Sequence, residues 1–161
     1  MPMPAHMTLT GENQGDILGS VTMAGREDSI LVEAFNHQVS MPRDPQTGLA
    51  SGKRRHEPFS VVKFFDKSSP LLYQALCTGE HMTDVTLKWY RIAKTGQEEH
   101  YFTTMLEDAI IVSMRPFMPN ALDKETEQYG HMEELSFTYR RITWTYEDGG
   151  ITATDDWETP R

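Results

Sequence analysis

"ELSFTYRRITWTYE", residues 134–147, decides the fold class. Leu135, Phe137 and Tyr139 alternate with Ser136 and Thr138, and then Ile142, Trp144 and Tyr146 take the opposite parity, the switch falling at Arg140 and Arg141. Successive side chains of a strand point to opposite faces, so this period of two predicts half-buried β-strand. A change of phase inside such a run predicts a bulge, or a strand that passes from one sheet face to another, as closed or strongly bent sheets require.

The same signature recurs outward from this run. Residues 30–41 ("ILVEAFNHQVSM"), 59–65 ("FSVVKFF"), 84–93 ("DVTLKWYRIA") and 100–114 ("HYFTTMLEDAIIVSM") are rich in β-branched and aromatic residues, with turn residues between several of them. "KTGQ", residues 94–97, reads as the turn of a hairpin joining two strands. Residues 68–80, "SSPLLYQALCTGE", break the pattern: Ser69 suits an N-cap, Pro70 the first helical position and Gly79 the end of a short helix. Leu71, Leu72, Ala75 and Leu76 share one side of that helix, which should lie against a sheet or plug the open end of a barrel. The expectation is an all-β chain, a small β-barrel of two packed antiparallel sheets with one short α-helix and a long protruding loop.

Composition bounds the function. The 161 residues are the usual size of one domain, and 7 Phe, 6 Tyr and 3 Trp supply enough buried area for an ordinary core. Fifteen basic against twenty-four acidic residues, a formal charge of -9, argue against nucleic acid as a partner. The single cysteine, Cys77, can form neither an internal disulfide nor a cysteine-based zinc site, and it is read as a small core residue of the helix. The N-terminal "MPMPAHMTLTGENQG" has no basic n-region or apolar h-region, and no segment is apolar over the length of a membrane span, so a cytoplasmic origin without membrane insertion is expected.

Catalytic motifs are absent from the sequence. It holds no P-loop, no dinucleotide glycine fingerprint, no H-E-x-x-H and no G-x-S-x-G. Histidines 6, 37, 56, 81, 100 and 131 do not share a strand or helical turn at ligand spacing, so no metal site is expected, and nothing points to a cofactor. Adjacent Glu27 and Asp28 of "GREDSI" would point to opposite sides of an extended chain, a poor acid and base pair.

The most unusual segment is "PRDPQTGLASGKRRHEP", residues 42–58. Loops of this length in compact domains are functional or disordered. Pro42, Pro45 and Pro58 stiffen its flanks, and Lys53, Arg54, Arg55 and His56 form a compact basic cluster on an acidic chain. The partner such a patch fits is the acidic surface of another copy of the same protein.

"DPQTGLASGKRRHEPF", the "SPLLYQALCTGE" helix followed by "VTLKWYR", the hairpin "GQEEHYFTTMLEDA" and the terminal "DDW" together resemble the Hcp family, the haemolysin-coregulated proteins of bacterial type VI secretion. The resemblance runs in one order from "GENQG" to Trp157. It implies a single barrel domain over residues 1–161, and a non-enzymatic subunit whose homohexameric rings stack into the inner tube of the secretion machine. A spike protein of the VgrG kind at the tube tip, a contractile sheath and small effector proteins in the lumen are the partners it implies. Export would then proceed through the type VI machinery without a cleavable signal peptide, and a chain ending at Arg161 would lack the added toxin domain of longer members. The long loop would reach neighbouring subunits or the next ring, through Arg43, Asp44, Gln46, Thr47, Leu49, Lys53, Arg54, Arg55 and His56. Arg54 and Arg55 are expected to pair with carboxylates of a neighbour, and Trp157 to anchor the C-terminal end on the barrel. The alternative from the residues alone is a monomeric β-barrel module that binds another protein ligand through the loop.

Overall fold

The structure, a computed structural model, describes residues 3–158. The strands in chain order are β1 (Ala5–Gly11), β2 (Gly15–Ile17), β3 (Ile30–Asn36), β4 (Val39–Ser40), β5 (Arg55–His56), β6 (Phe59–Phe64), β7 (His81–Ile92), β8 (Glu98–Phe117), β9 (Met132–Thr138), β10 (Arg141–Tyr146) and β11 (Ile151–Asp156). The one α-helix, α1 (Ser69–Thr78), lies between β6 and β7, and a short 3-10 turn (Lys124–Thr126) between β8 and β9. All pairings are antiparallel, and hydrogen bonding runs β8-β7-β1-β3-β6-β9 and back to β8, a closed barrel of six strands. The two packed sheets expected are therefore opposite walls of one continuous sheet. Closure pairs the edges of these six strands, and β10 and β11 continue outward from the first half of β8, leaving β11 at the edge.

The 20-residue strand β8 makes closure possible by serving two neighbours in turn. Residues 102–107 lie between β7 and β10, whereas residues 110–117 pair with β9. Between the halves Asp108 adopts φ 51°, a left-handed conformation that aspartate tolerates better than most residues, and a register shift follows between Ile111 and Ser113. The parity switch at Arg140 and Arg141 is the matching event on the partner side. There β9 leaves the second half of β8 and β10 takes up the first half, so Tyr139 and Ile142 both face inward and are buried.

The inward faces meet across the register. Leu9, Val85, Leu106 and Ile142 form one row through successive strands, each 2% exposed or less, and Val61, Leu135, Phe59 and Phe137 fill the opposite wall. At roughly 1.5–3 kcal/mol for each fully buried large apolar side chain, such rows dominate the folding free energy. The barrel strand β1 and the outer strand β11 were not singled out by composition. Ala5, Met7 and Leu9 do alternate, but the run is short and flanked by prolines; "ITATDD" of β11 is exposed over its first four residues and carries no apolar alternation.

Helix α1 begins after Ser68, one residue earlier than the sequence suggests, with Pro70 in its first turn and Gly79 (φ 70°) closing it. It packs against β8 and contributes Leu72 and Ala75 to the core, while Leu71 faces solvent. Ser69, released from capping, is buried: its hydroxyl donates to Glu133 Oε1 at 2.7 Å, and Lys63 Nζ, with no exposed side-chain area, lies 2.5 Å from the same oxygen. Cys77 corrects an expectation. The three-to-four residue spacing of the buried stripe passes over it, and its thiol is exposed.

Candidate functional site

The segment between β3 and β6 is an arm with an internal ladder. Val39 pairs with His56 and Ser40 with Arg55, Ser51 N–H donates to Pro42 O (2.9 Å), and Arg43 and Ala50 form a further bridge. The tip is closed by Asp44 N–H to Leu49 O and Gly48 N–H to Asp44 O, each 2.8 Å, with Asp44 Oδ1 accepting from Gln46 N–H. Gly48 sits at φ 72°, a conformation its missing side chain makes cheap. The tip presents Arg43, Gln46, Thr47 and Leu49 to solvent, and Leu49 is 70% exposed.

At the root of the arm lies a chain of polar contacts to the far end of the sequence. Arg54 Nε donates to Asp155 Oδ2 (2.6 Å) and its guanidinium to the Asp156 carbonyl (2.7 Å). His56 Nε2 lies 2.5 Å from the same Asp155 oxygen, its Nδ1 2.6 Å from the Tyr139 hydroxyl, and His37 Nε2 2.8 Å from that hydroxyl. With both rings neutral one proton order satisfies every contact: His37 Nε2–H to Tyr139, Tyr139 O–H to His56 Nδ1, His56 Nε2–H to Asp155. Protonating both rings would aim two N–H donors at Tyr139 and leave its own proton without an acceptor in the chain. Trp157 lies over His56 with ring centroids 5.0 Å apart.

The electrostatics follow this geometry. The hydrogen bond from Arg54 holds the Asp155 carboxyl below its ordinary range, helped by His56 and opposed by partial burial. Burial lowers His37 to about 4, with His56 adding to the effect. Burial, and then the charge of Asp155, push the Tyr139 phenol up, so it stays a neutral donor and acceptor.

Two of the nine residues expected to contact a neighbour, Arg54 and His56, have partners within their own chain. Arg54 and His56 turn inward, where Asp155 of their own chain supplies the carboxylate that a neighbour was expected to supply. The reason is the pairing of β4 with β5: in a two-stranded ribbon, alternate residues face opposite sides, so Arg54 and His56 face the barrel while Lys53 and Arg55 face out. Among the described residues Arg43, Lys53 and Arg55 have no ion-pair partner. Tyr139 and Asp155 were missed because 83 residues separate Tyr139 from His56 and 101 separate Asp155 from Arg54, and His37, just before the arm's ladder, because its partner Tyr139 is 102 residues away, and no spacing rule reaches that far.

Outside the arm, Arg26 of the "GREDSI" turn lies over the Tyr90 ring (3.6 Å to its centroid) and pairs with Glu98 at 2.7 Å, which fastens that turn to the barrel. Glu27 and Asp28 are exposed, and Asp28 pairs with Lys67. Among the described residues no cluster of His, Cys, Asp and Glu has the geometry to hold a metal ion, and no helix is long and apolar enough to cross a membrane.

The geometry defines a class of protein by its architecture, a closed six-stranded barrel with a filled interior and an ordered arm that presents basic side chains outward. Residues 6–146 match the family described as "Type VI secretion system effector, Hcp". The chain is 46% identical over 169 aligned positions to the "Major exported protein" of Pseudomonas aeruginosa, covering 99% of this chain and 98% of that one. Among solved structures, one described as Hcp protein superposes with a TM-score of 0.91 at 38% identity, covering 98% of this chain and 99% of that one. The secreted protein Hcp3 from Pseudomonas aeruginosa superposes with a TM-score of 0.80 at 40% identity, covering 97% and 99%. The chain belongs to the Hcp family of type VI secretion.

Proposed function

We propose that this protein is the structural, non-enzymatic subunit of a type VI inner tube. Six copies close into a ring, rings stack into a tube, and a contractile sheath ejects that tube behind a spike protein while small effector proteins ride in its lumen. Assembly takes place in the cytoplasm, and export follows through the type VI machine, in keeping with the name "Major exported protein" carried by the relative from Pseudomonas aeruginosa. Arg43, Asp44, Gln46, Thr47, Leu49, Lys53 and Arg55 of the arm make contacts between copies, and Arg54 and His56 hold the arm in position for them.

The observation that carries this reading is the arm itself. Its ladder and its root are satisfied within the chain, yet it holds three exposed guanidinium or ammonium groups that have no ion-pair partner among the described residues, and an exposed leucine. A heterologous contact that uses such an arm needs a complementary surface elsewhere on the same molecule, and repeated about an axis it closes into a ring. Light scattering of the purified protein, with negative-stain imaging, tests the reading. Six-membered rings support it. Reversing Arg43, Lys53 and Arg55 together to Glu should reduce assembly with unchanged monomer stability, and a chain that stays monomeric at every concentration points instead to a barrel that binds a different protein ligand.

A further inference from the structure

The face of the barrel that would receive the arm can be identified, on the reading that copies of this chain associate. An apolar groove of about 600 Å³ lies on the outer surface between β3, β6 and the segment that follows β8, floored by Ala34, Val62, Phe64, Phe117 and Met132 and walled by Tyr129. Val62 and Phe64 lie on the outward parity of β6, alternating with the buried Val61 and Lys63, and the register sets Ala34 of β3 beside Val62, Met132 of β9 beside Phe64 and Phe117 of β8 beside Met132. Glu33 lines the groove, and the segment that supplies Thr126 and Gln128 to its wall also carries Asp123, Glu125 and Glu127 against the single Lys124; Glu33, Glu125 and Glu127 have no ion-pair partner among the described residues.

We infer that this groove receives the arm tip of a second copy, with Leu49 in the apolar floor and Lys53 and Arg55 facing the acidic rim. Complementarity of charge is one ground. The arm carries unpaired cations before and after an exposed leucine in sequence, and the groove has an apolar floor with Glu33 in its lining and the acidic segment 123–127 adjoining its wall. Position along the strands is the other. The arm enters β6 at Phe59, and the groove is centred on Val62 and Phe64, so Phe64 is about 16 Å along the strand from the arm. The root contacts to Asp155 and Tyr139 hold the arm at that end, which excludes the chain's own groove. Donor and acceptor surfaces at different ends of one strand pair produce a head-to-tail contact that propagates from copy to copy.

The test uses the full chain with Cys77→Ser, since that thiol is exposed. Ala50→Cys, beside Leu49, and Gln128→Cys, on the groove wall, are placed on one chain and air-oxidised after assembly. A ladder of covalent multimers is expected from the double variant, and no species beyond a dimer from either single one. Leu49→Asp should weaken association at least tenfold, as expected for excluding a large apolar side chain from its site. Lys53→Glu with Arg55→Glu should weaken it too, with recovery when Glu33→Lys and Glu127→Lys are added. Rings or tubes in normal yield with no ladder, and a Leu49→Asp chain that assembles like the parent, would overturn the groove assignment while leaving self-assembly standing. A parent chain that never leaves the monomer overturns the assembly reading, and the groove assignment falls with it.

Discussion

Replacing Lys63 by Met removes the one cation from a closed group of charges. Lys63 Nζ lies 2.5 Å from Glu133 Oε1 and 3.0 Å from Asp66 Oδ1, and it also donates toward Phe64 O and Ser69 Oγ, each at 3.1 Å. The Lys63 and Glu133 side chains have no exposed area, and that of Asp66 is 11% exposed. Methionine fills the aliphatic volume of the lysine stem, so the loss is electrostatic and not one of packing. Two carboxylates are then left with no counter-charge, and Glu133 keeps only the Ser69 hydroxyl among these contacts. Breaking a buried pair from one side costs about 3–5 kcal/mol, because the desolvated partner stays behind. At about 2–4 °C per kcal/mol for a chain of this size, the melting temperature should fall by roughly 6–20 °C. Urea unfolding of the parent, Lys63→Met, Glu133→Leu and the double variant completes a cycle, in which the double should recover most of the loss because no charge of that pair is left buried alone. A Lys63→Met protein within about 1 kcal/mol of the parent, or a double variant less stable than either single one, would refute the reasoning.

Stability should also fall on acidification between pH 6.5 and about 4, the interval in which an unfolded His37 binds a proton and the folded one resists it. Urea midpoints across that range in the parent and in His37→Phe, which cannot titrate, check the sign, and equal slopes in both would refute it. Asp155→Asn removes the charge that Arg54 and His56 share, and should speed tryptic cleavage after Lys53, Arg54 and Arg55 with little change elsewhere; an unchanged digestion rate would mean the arm is held by its ladder alone. Gly11→Ala places a Cβ on Glu80 Oε2, a buried atom, and should cost about 1–3 kcal/mol, which Glu80→Ala in the same chain should relieve. Equal unfolding midpoints for the parent and Gly11→Ala would show that Glu80 yields without cost.

Strand content was legible because the alternation of residues 134–147 reports burial directly, and even the parity switch was visible. What that switch meant was not. A bulge, a change of sheet and the end of one strand before the next all predict the same local pattern, and only the divided pairing of β8 separates them. The arm was visible as a run of prolines, glycines and cations, but composition cannot tell an outward cation from an inward one. Arg54 and Arg55 are chemically identical neighbours, and the register of a two-residue ribbon sends one to Asp155 and the other into water. Cys77 shows the same limit in a helix: small and apolar, it fits a core by type, and its position on the helix wheel overrides its type.

The inward turn of Arg54 and His56 strengthens the case for the arm as a docking element. A flexible segment of seventeen residues would have to be ordered on contact, at about 1–2 kcal/mol for each residue fixed, which would consume the gain from one leucine and a few rim charges many times over. Here the ordering is done within the monomer, by the β4–β5 ladder, the closed tip and the contacts to Asp155 and Tyr139. Contacts at the tip then need not offset the ordering of the backbone, and what remains to be lost is rigid-body freedom and a few side-chain rotamers. The residues with the strongest charge chemistry in the segment therefore lie at its root and not at its tip. Loosening that root should weaken assembly without changing any atom of the surface that touches the next copy, so Asp155→Asn should lower assembly as well as raise trypsin sensitivity. If Asp155→Asn frees the arm and assembly remains as in the parent, preorganisation is not what makes the contact strong enough, and the affinity must come from another part of the barrel wall.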